Sequence, residues 1–110
     1  MFCRRCYRNR GCYKNSSQNE INFEQLKNMV SKGAILIDVR SPQEFKEGHL
    51  PGAINIPEYE IRKVKNEMPK LNQQIIVYCQ YGRRSRDAYN MLRKIGYTNV
   101  YSLKGGLEMI

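Results

Sequence analysis

A run of four apolar residues, Ile75 to Tyr78, leads directly into Cys79 and then into a helix-like segment at residues 84 to 95. Every residue of the run is β-branched or aromatic, which is typical of a strand buried on both faces of a parallel sheet. The segment that follows has apolar residues at helical spacing, namely Ala88, Met91, Leu92 and Ile95, before Gly96 ends the pattern. The sequence therefore predicts a buried strand joined by a short loop to a helix.

The loop between this strand and helix carries a cysteine in an electropositive setting. Cys79 stands at the amino end of the predicted helix, where unpaired N–H groups and the helix dipole favour a thiolate over a thiol. Gly82 allows the loop to curl, so that the N–H groups of residues 80 to 84 can point at one sulfur or one oxyanion. We predict that Cys79 is a nucleophile and that these N–H groups form a cradle around it. The residues of this loop are Gln80, Tyr81, Gly82, Arg83 and Arg84.

Cys79 has two interpretations, an inert residue of the core and a reactive thiol. An inert cysteine that ends a core strand is common in proteins, but such a cysteine needs neither a glycine nor two arginines in its turn. We therefore expect Arg83 and Arg84 to recruit an anionic substrate electrostatically.

The rest of the chain alternates strand-like and helix-like segments. Asn22 with Gln25, and Ser41 with Glu44, have the spacing of capping boxes, which predicts that helices begin just after Asn22 and Ser41. The other predicted elements are strands at residues 34–39, 53–56 and 99–103, a turn at 48–52 and a helix at 58–68. Such alternation predicts an α/β domain with a parallel sheet, whose ligands bind at the carboxyl ends of the strands.

Length and charge limit the classes of function. The chain has 110 residues, which suits one domain. No segment approaches about 18 to 20 consecutive apolar residues, and the amino terminus lacks the apolar centre of a secretory signal, so we expect a soluble, cytoplasmic protein that does not contact membranes. Of the formal charge of +9, residues 1 to 17 carry +5, which leaves +4 for the remainder. Binding of nucleic acid by the folded part is therefore poorly supported.

Residues 1 to 18 differ in composition from the rest and contain Cys3, Cys6 and Cys12 without apolar periodicity. We interpret them as a basic, disordered extension of a domain that spans residues 19 to 110. Cys3 and Cys6 have the spacing of half a zinc knuckle, but neither a fourth cysteine nor a histidine lies nearby, so no metal is expected. A disulfide and incidental cysteines remain the alternatives.

Several segments, in this order, resemble the rhodanese family of single-domain sulfurtransferases. The resemblance covers about residues 20 to 108. It is carried by Leu36-Ile37-Asp38-Val39-Arg40, Glu44-Phe45, residues 48 to 57 (GHLPGAINIP), the loop from Cys79 to Ser85, and Gly105-Gly106.

The resemblance implies a five-stranded parallel sheet flanked by helices on both faces. It also implies that Cys79 accepts sulfane sulfur from thiosulfate or a persulfide donor, becomes a persulfide, and passes the sulfur to a thiophilic acceptor, without a cofactor. Cyanide is the acceptor in the assay, and a thiol, either free or on another protein, is the acceptor expected in the cell. The alternative is a non-catalytic persulfide carrier or interaction module of the same fold.

The length of the loop separates the sulfurtransferases from related enzymes. Phosphatases and arsenate reductases of this fold have an arginine six positions after the cysteine, where this chain has Ser85. Arg84 is five positions after Cys79, which matches the shorter loop of sulfurtransferases. The resemblance therefore disfavours a thiol phosphatase or arsenate reductase.

Asp38, Arg40 and Ser85 are expected to support the site. Asp38, Arg40, His49 and Tyr81 have competing interpretations, and for Tyr81 these are shaping access to the site or only covering it. Asp38 is either a member of the site or, as is commoner in the family, a residue that holds the structure around the loop. Arg40 either recruits the anionic donor or pairs with Glu44 or another carboxylate. His49 is the only histidine, and its position in a tight turn favours packing and hydrogen bonding over acid–base catalysis.

Overall fold

The computed structural model describes residues 19–110, which form a five-stranded parallel sheet with helices. The strands are β1 (Glu20–Ile21), β2 (Ile35–Asp38), β3 (Ile54–Asn55), β4 (Ile75–Tyr78) and β5 (Val100–Leu103), in the spatial order β1-β5-β4-β2-β3. Asp38 pairs with Tyr78 across β2 and β4, so the carboxyl ends of the two central strands lie side by side. The predicted fold is confirmed, and it brings Asp38 and Cys79 to one edge of the sheet.

The helices are α1 (Phe23–Ser31), α2 (Pro42–Glu47), α3 (Val64–Glu67) and α4 (Arg83–Ile95), with 3₁₀ helices at Glu58–Lys63 and Gly106–Met109. Both predicted capping boxes are present: the Asn22 side chain caps α1 and the Ser41 side chain caps α2. These reciprocal hydrogen bonds satisfy backbone donors that a helix leaves free at its amino end.

Two apolar clusters cover opposite faces of the sheet. Successive residues of a strand point to opposite faces, and accordingly Ile37 and Val77 belong to one cluster while Leu36 and Ile76 belong to the other. The first cluster packs against α4, α3 and the 3₁₀ helix before it, and the second packs against α1. The unbroken apolar runs seen in the sequence are therefore explained by burial on both sides.

Some predicted boundaries were wrong. The predicted helix at residues 58–68 is a 3₁₀ helix followed by the four-residue α3. Ile61 in the 3₁₀ helix and Val64 at the start of α3 are both buried, so both helices contribute to the core. Helix α3 ends at Glu67, and Met68 is its C-cap, because Pro69 disfavours helical geometry in the residue before it. The strand β1 was not predicted, since two residues carry no detectable periodicity.

No helix within residues 19–110 is both long and apolar enough to cross a membrane. The same part of the chain contains no group of three or more residues that could hold a metal ion. The predictions about the extension at residues 1–18, including Cys3, Cys6 and Cys12, lie outside the described residues.

Candidate active site

Cys79 directly follows β4, and the loop wraps around its sulfur atom. The thiol is 1% exposed, and its Sγ accepts hydrogen bonds from the N–H groups of Gly82 at 3.1 Å and Ser85 at 3.2 Å. Gly82 makes this turn with a φ of +97°, in the region that side chains other than glycine disfavour. The cysteine therefore lies at the amino end of α4, with backbone donors directed at its sulfur.

The cradle predicted from residues 80 to 84 differs in part from the arrangement found. Of these five N–H groups, that of Gly82 contacts Sγ, and the second donor is Ser85, one residue beyond the predicted range. Within residues 19–110, no protein acceptor takes the N–H groups of Gln80, Tyr81, Arg83 or Arg84. N–H groups that have no acceptor in this part of the chain, at a helix amino end, suit the binding of an anion or an anionic sulfur.

Ser85 connects the cysteine to the neighbouring strand. Its side chain is fully buried, and its Oγ lies 3.5 Å from Cys79 Sγ, 3.2 Å from the Gly82 carbonyl and 3.0 Å from Ser102 Oγ. A hydroxyl has one hydrogen and donates to one of these atoms at a time. Sequence reasoning missed Ser102, whose only signal was a polar residue within the β5 segment.

The two loop arginines have different environments. Arg84 donates two hydrogen bonds to the Glu44 carboxylate, at 2.7 and 3.0 Å, whereas Arg83 is exposed and forms no ion pair within residues 19–110. The hydrogen bond from Arg84 lowers the pKa of Glu44 to about 2. The positive charge of Arg84 is therefore paired with a carboxylate, whereas the charge of Arg83 has no such partner in the described part of the chain. The expected role of the two arginines in recruiting an anion stays a prediction.

A buried ion pair supports the edge of the sheet beside the loop. The carboxylate of Asp38, fully buried, accepts hydrogen bonds from the backbone N–H, Nε and Nη2 of Arg40 at 2.7 to 3.1 Å. The bond to Asp38 raises the pKa of Arg40, and Nη2 also donates to the Gly48 carbonyl at 2.6 Å. Arg40 thus pairs with a carboxylate other than Glu44. Neither residue contacts the sulfur of Cys79 directly, which fits the supporting interpretation.

Tyr81 and His49 lie at the surface. Tyr81 is 71% exposed. The His49 ring stacks on Phe45 at 3.7 Å, and its Nδ1 lies 2.8 Å from the Phe45 carbonyl oxygen. This arrangement fits the packing and hydrogen-bonding interpretation of His49.

The segment after β5, which we call the Gly-Gly turn (residues 105–108), packs against the loop. A Cβ atom added to Gly82 would lie 3.2 Å from the backbone nitrogen of Gly105. The two glycines were noted in the sequence, but their contact with the cysteine loop was not predicted.

The fold and the site place this chain among the α/β proteins in which a cysteine ends a central strand of a parallel sheet and precedes a helix. The family model described as "Rhodanese-like domain" matches residues 22–110. The chain therefore belongs to the rhodanese-like family.

Similar proteins include two from bacteria and a human protein of known structure. The Bacillus subtilis protein YqhL is 47% identical over 75 residues, which are 68% of this chain and 59% of that protein, so the match spans less than two thirds of it. Thiosulfate sulfurtransferase GlpE of Pseudomonas syringae is 34% identical over 86 residues, 78% of this chain and 80% of that protein. The structure of the human single-domain sulfurtransferase TSTD1 has a TM-score of 0.73 at 29% identity and covers 82% of this chain and 92% of that one.

Proposed function

We propose that this protein is a sulfurtransferase that moves sulfane sulfur through a persulfide on Cys79. In the first step the Cys79 thiolate attacks the outer sulfur of thiosulfate, the S–S bond of thiosulfate breaks, and sulfite leaves with the bonding electrons. In the second step an acceptor such as cyanide or a thiolate attacks the outer sulfur of the persulfide, and the Cys79 thiolate leaves. No external oxidant or reductant is consumed.

The observation that carries this proposal is the set of backbone donors around Cys79. Two N–H groups already bond to Sγ, and four more in the loop have no protein acceptor within residues 19–110. A persulfide places a second sulfur beyond Sγ, where preorganised donors stabilise its negative charge. Arg83 then raises the local concentration of the thiosulfate dianion.

The family relatives support this activity, since one of them is named a thiosulfate sulfurtransferase. The reaction needs a reduced Cys79, which suits the cytoplasm that the sequence led us to expect. A further thiol, free or carried on another protein, completes the cycle in place of cyanide.

Mass spectrometry after thiosulfate treatment tests the proposal. We expect one added sulfur atom on the intact chain, mapped to the peptide that contains Cys79 and lost on addition of cyanide. Thiocyanate formed in large excess over protein would identify an enzyme, whereas one equivalent per chain would favour the carrier. No added sulfur on Cys79 would overturn both.

A further inference from the structure

The carbonyl groups of Cys79 and Gln80 both accept hydrogen bonds from the Gly-Gly turn. The N–H of Leu107 donates to the Cys79 carbonyl and the N–H of Glu108 donates to the Gln80 carbonyl, each at 3.0 Å. The described peptide bonds are all trans, so the N–H of each unit points away from its own carbonyl. The turn thereby directs the N–H groups of Gln80 and Tyr81 away from itself.

The side chain of Gln80 is held at both of its polar ends. Its Nε2 donates to Glu108 Oε2 at 2.6 Å, and its Oε1 accepts from Arg40 Nη1 at 3.3 Å. Arg40 is itself fixed by the buried carboxylate of Asp38. The side chain of Gln80 therefore links Arg40, which follows β2, to Glu108 in the Gly-Gly turn.

Gly106 shows how closely the turn and the loop approach. A Cβ atom at this position would lie 2.5 Å from both the Cys79 and the Gln80 carbonyl oxygens. The turn can approach those carbonyls only because Gly106 has no side chain. The side-chain hydrogen bond between Gln80 and Glu108 is a further contact between the loop and the turn.

We propose that Gln80 and Glu108 are positioning residues for sulfur transfer: their pairing across the loop and the Gly-Gly turn holds the first two loop peptides so that their N–H groups face the transferred sulfur. This inference rests on the proposed function of Cys79. It adds Glu108, a carboxylate 28 positions from Gln80 in the sequence, which bonds to the side chain of Gln80.

Four variants test the pairing by breaking and restoring it. Glu108→Ala removes the acceptor, whereas Glu108→Gln keeps an oxygen that accepts from Gln80. Gln80→Glu places two carboxylates together, and the double variant Gln80→Glu/Glu108→Gln restores a donor and an acceptor with reversed polarity. Asp87→Ala is the matched control, because Asp87 is an exposed carboxylate on the neighbouring α4 with no hydrogen bond to the loop.

The first measurement is the ratio of persulfide to free Cys79 by intact mass, at a fixed ratio of thiosulfate to sulfite. We expect Glu108→Ala and Gln80→Glu to lower this ratio by about fivefold, the effect of losing one hydrogen bond. Glu108→Gln, the double variant and Asp87→Ala should stay close to the wild type. A role in stability alone would lower the melting temperature without changing the ratio, and that result would overturn the proposal.

The second measurement does not depend on sulfur chemistry. Nitrogen-15 relaxation of the Gln80 and Tyr81 amides should show lower order in Glu108→Ala and recovery in the double variant. If the wild type takes up no sulfur, the proposed function is wrong, but the relaxation measurement still tests whether Gln80 and Glu108 hold the loop peptides in place. Unchanged amide order in Glu108→Ala would refute the positioning in either case.

Discussion

Gly82 and Ser85 donate their N–H groups to one sulfur atom, at 3.1 and 3.2 Å. At the scale of single residues, this backbone arrangement defines the site more than any charged side chain does. Backbone donors do not depend on the identity of the side chain that they contact, so the nucleophile can be exchanged with little effect on the loop.

We predict that Cys79→Ser abolishes sulfur transfer and leaves the fold intact. A serine hydroxyl is close in size and still accepts the two N–H groups, but it does not form a persulfide. Thiocyanate production should fall to background, and the melting temperature should stay within a few degrees of that of the wild type. Substantial turnover by the pure variant would rule out Cys79 as the nucleophile.

Replacing each loop arginine separately should give two different phenotypes. Arg83→Ala should raise the KM for thiosulfate about threefold at low salt, because a dianion loses one nearby positive charge. This effect should shrink at high salt, where the screening length is about 10 Å or less. Arg84→Ala should instead destabilise the fold through the loss of its pair with Glu44. Equal, salt-independent changes in KM in both variants would contradict this division of roles.

At the scale of elements, the Glu44–Arg84 pair ties α2 to the first turn of α4. Both side chains are about one third exposed, so the pair should contribute about 0.5 to 1 kcal/mol. Its larger effect is geometric, since it fixes the helix whose amino end holds Cys79.

The contribution of the Glu44–Arg84 pair to the free energy of unfolding should depend on pH in the acid range. The pKa of Glu44 falls from its ordinary value of 4.5 to about 2 in the folded protein. A carboxyl with a lowered pKa contributes stability above its unfolded pKa and loses that contribution as the pH falls toward its folded pKa. The difference in unfolding free energy between the wild type and Glu44→Gln should therefore be constant at neutral pH and shrink between about pH 4.5 and 2.

Urea unfolding at several pH values would check this expectation. In an Arg84→Ala background, the change in unfolding free energy caused by Glu44→Gln should depend much less on pH. A pH dependence that persists at full size in that background would show that Arg84 is not its cause.

The tight loop predicts little hydrolysis of aryl phosphates. Arg84 is five residues after Cys79, and the Gly-Gly turn lies against Gly82, which limits the space for a phosphoryl group. Inserting one residue between Arg83 and Arg84 should improve phosphate binding, measured by calorimetry, at some loss of stability. Efficient hydrolysis of p-nitrophenyl phosphate by the unmodified protein would contradict the argument from loop length.

Local sequence patterns predicted the strands and helices well, but they predicted few of the side-chain pairs between residues that are distant in the sequence. The apolar runs of β2 and β4 and the caps at Asn22 and Ser41 are local signals, and the structure confirms them. The bond between Arg84 and Glu44 joins residues 40 positions apart, and that between Gln80 and Glu108 joins residues 28 apart. Such pairs follow from the packing of elements, and a single sequence carries no local signal for them.

At the scale of the whole molecule, the two apolar clusters are built from residues between Ile21 and Leu107. We predict that deleting residues 1 to 17 leaves folding and thiosulfate:cyanide activity nearly unchanged. Melting temperature, metal content and turnover of both chains, under reducing conditions, would check this. Release of stoichiometric zinc with a fall of several degrees, equivalent to about 1 kcal/mol, would instead identify Cys3, Cys6 and Cys12 as structural.

The pairing of β1 with β5 has a consequence for synthesis on the ribosome. Glu20 and Ile21 find their partners, Ser102 and Leu103, about eighty residues later, and the carbonyls of the cysteine loop find theirs later still, at Leu107 and Glu108. Contacts between distant residues form late and slowly in folding. A nascent chain therefore exposes Cys79 before its surroundings are in place, and the thiol gains its final environment only after residue 108 has left the exit tunnel.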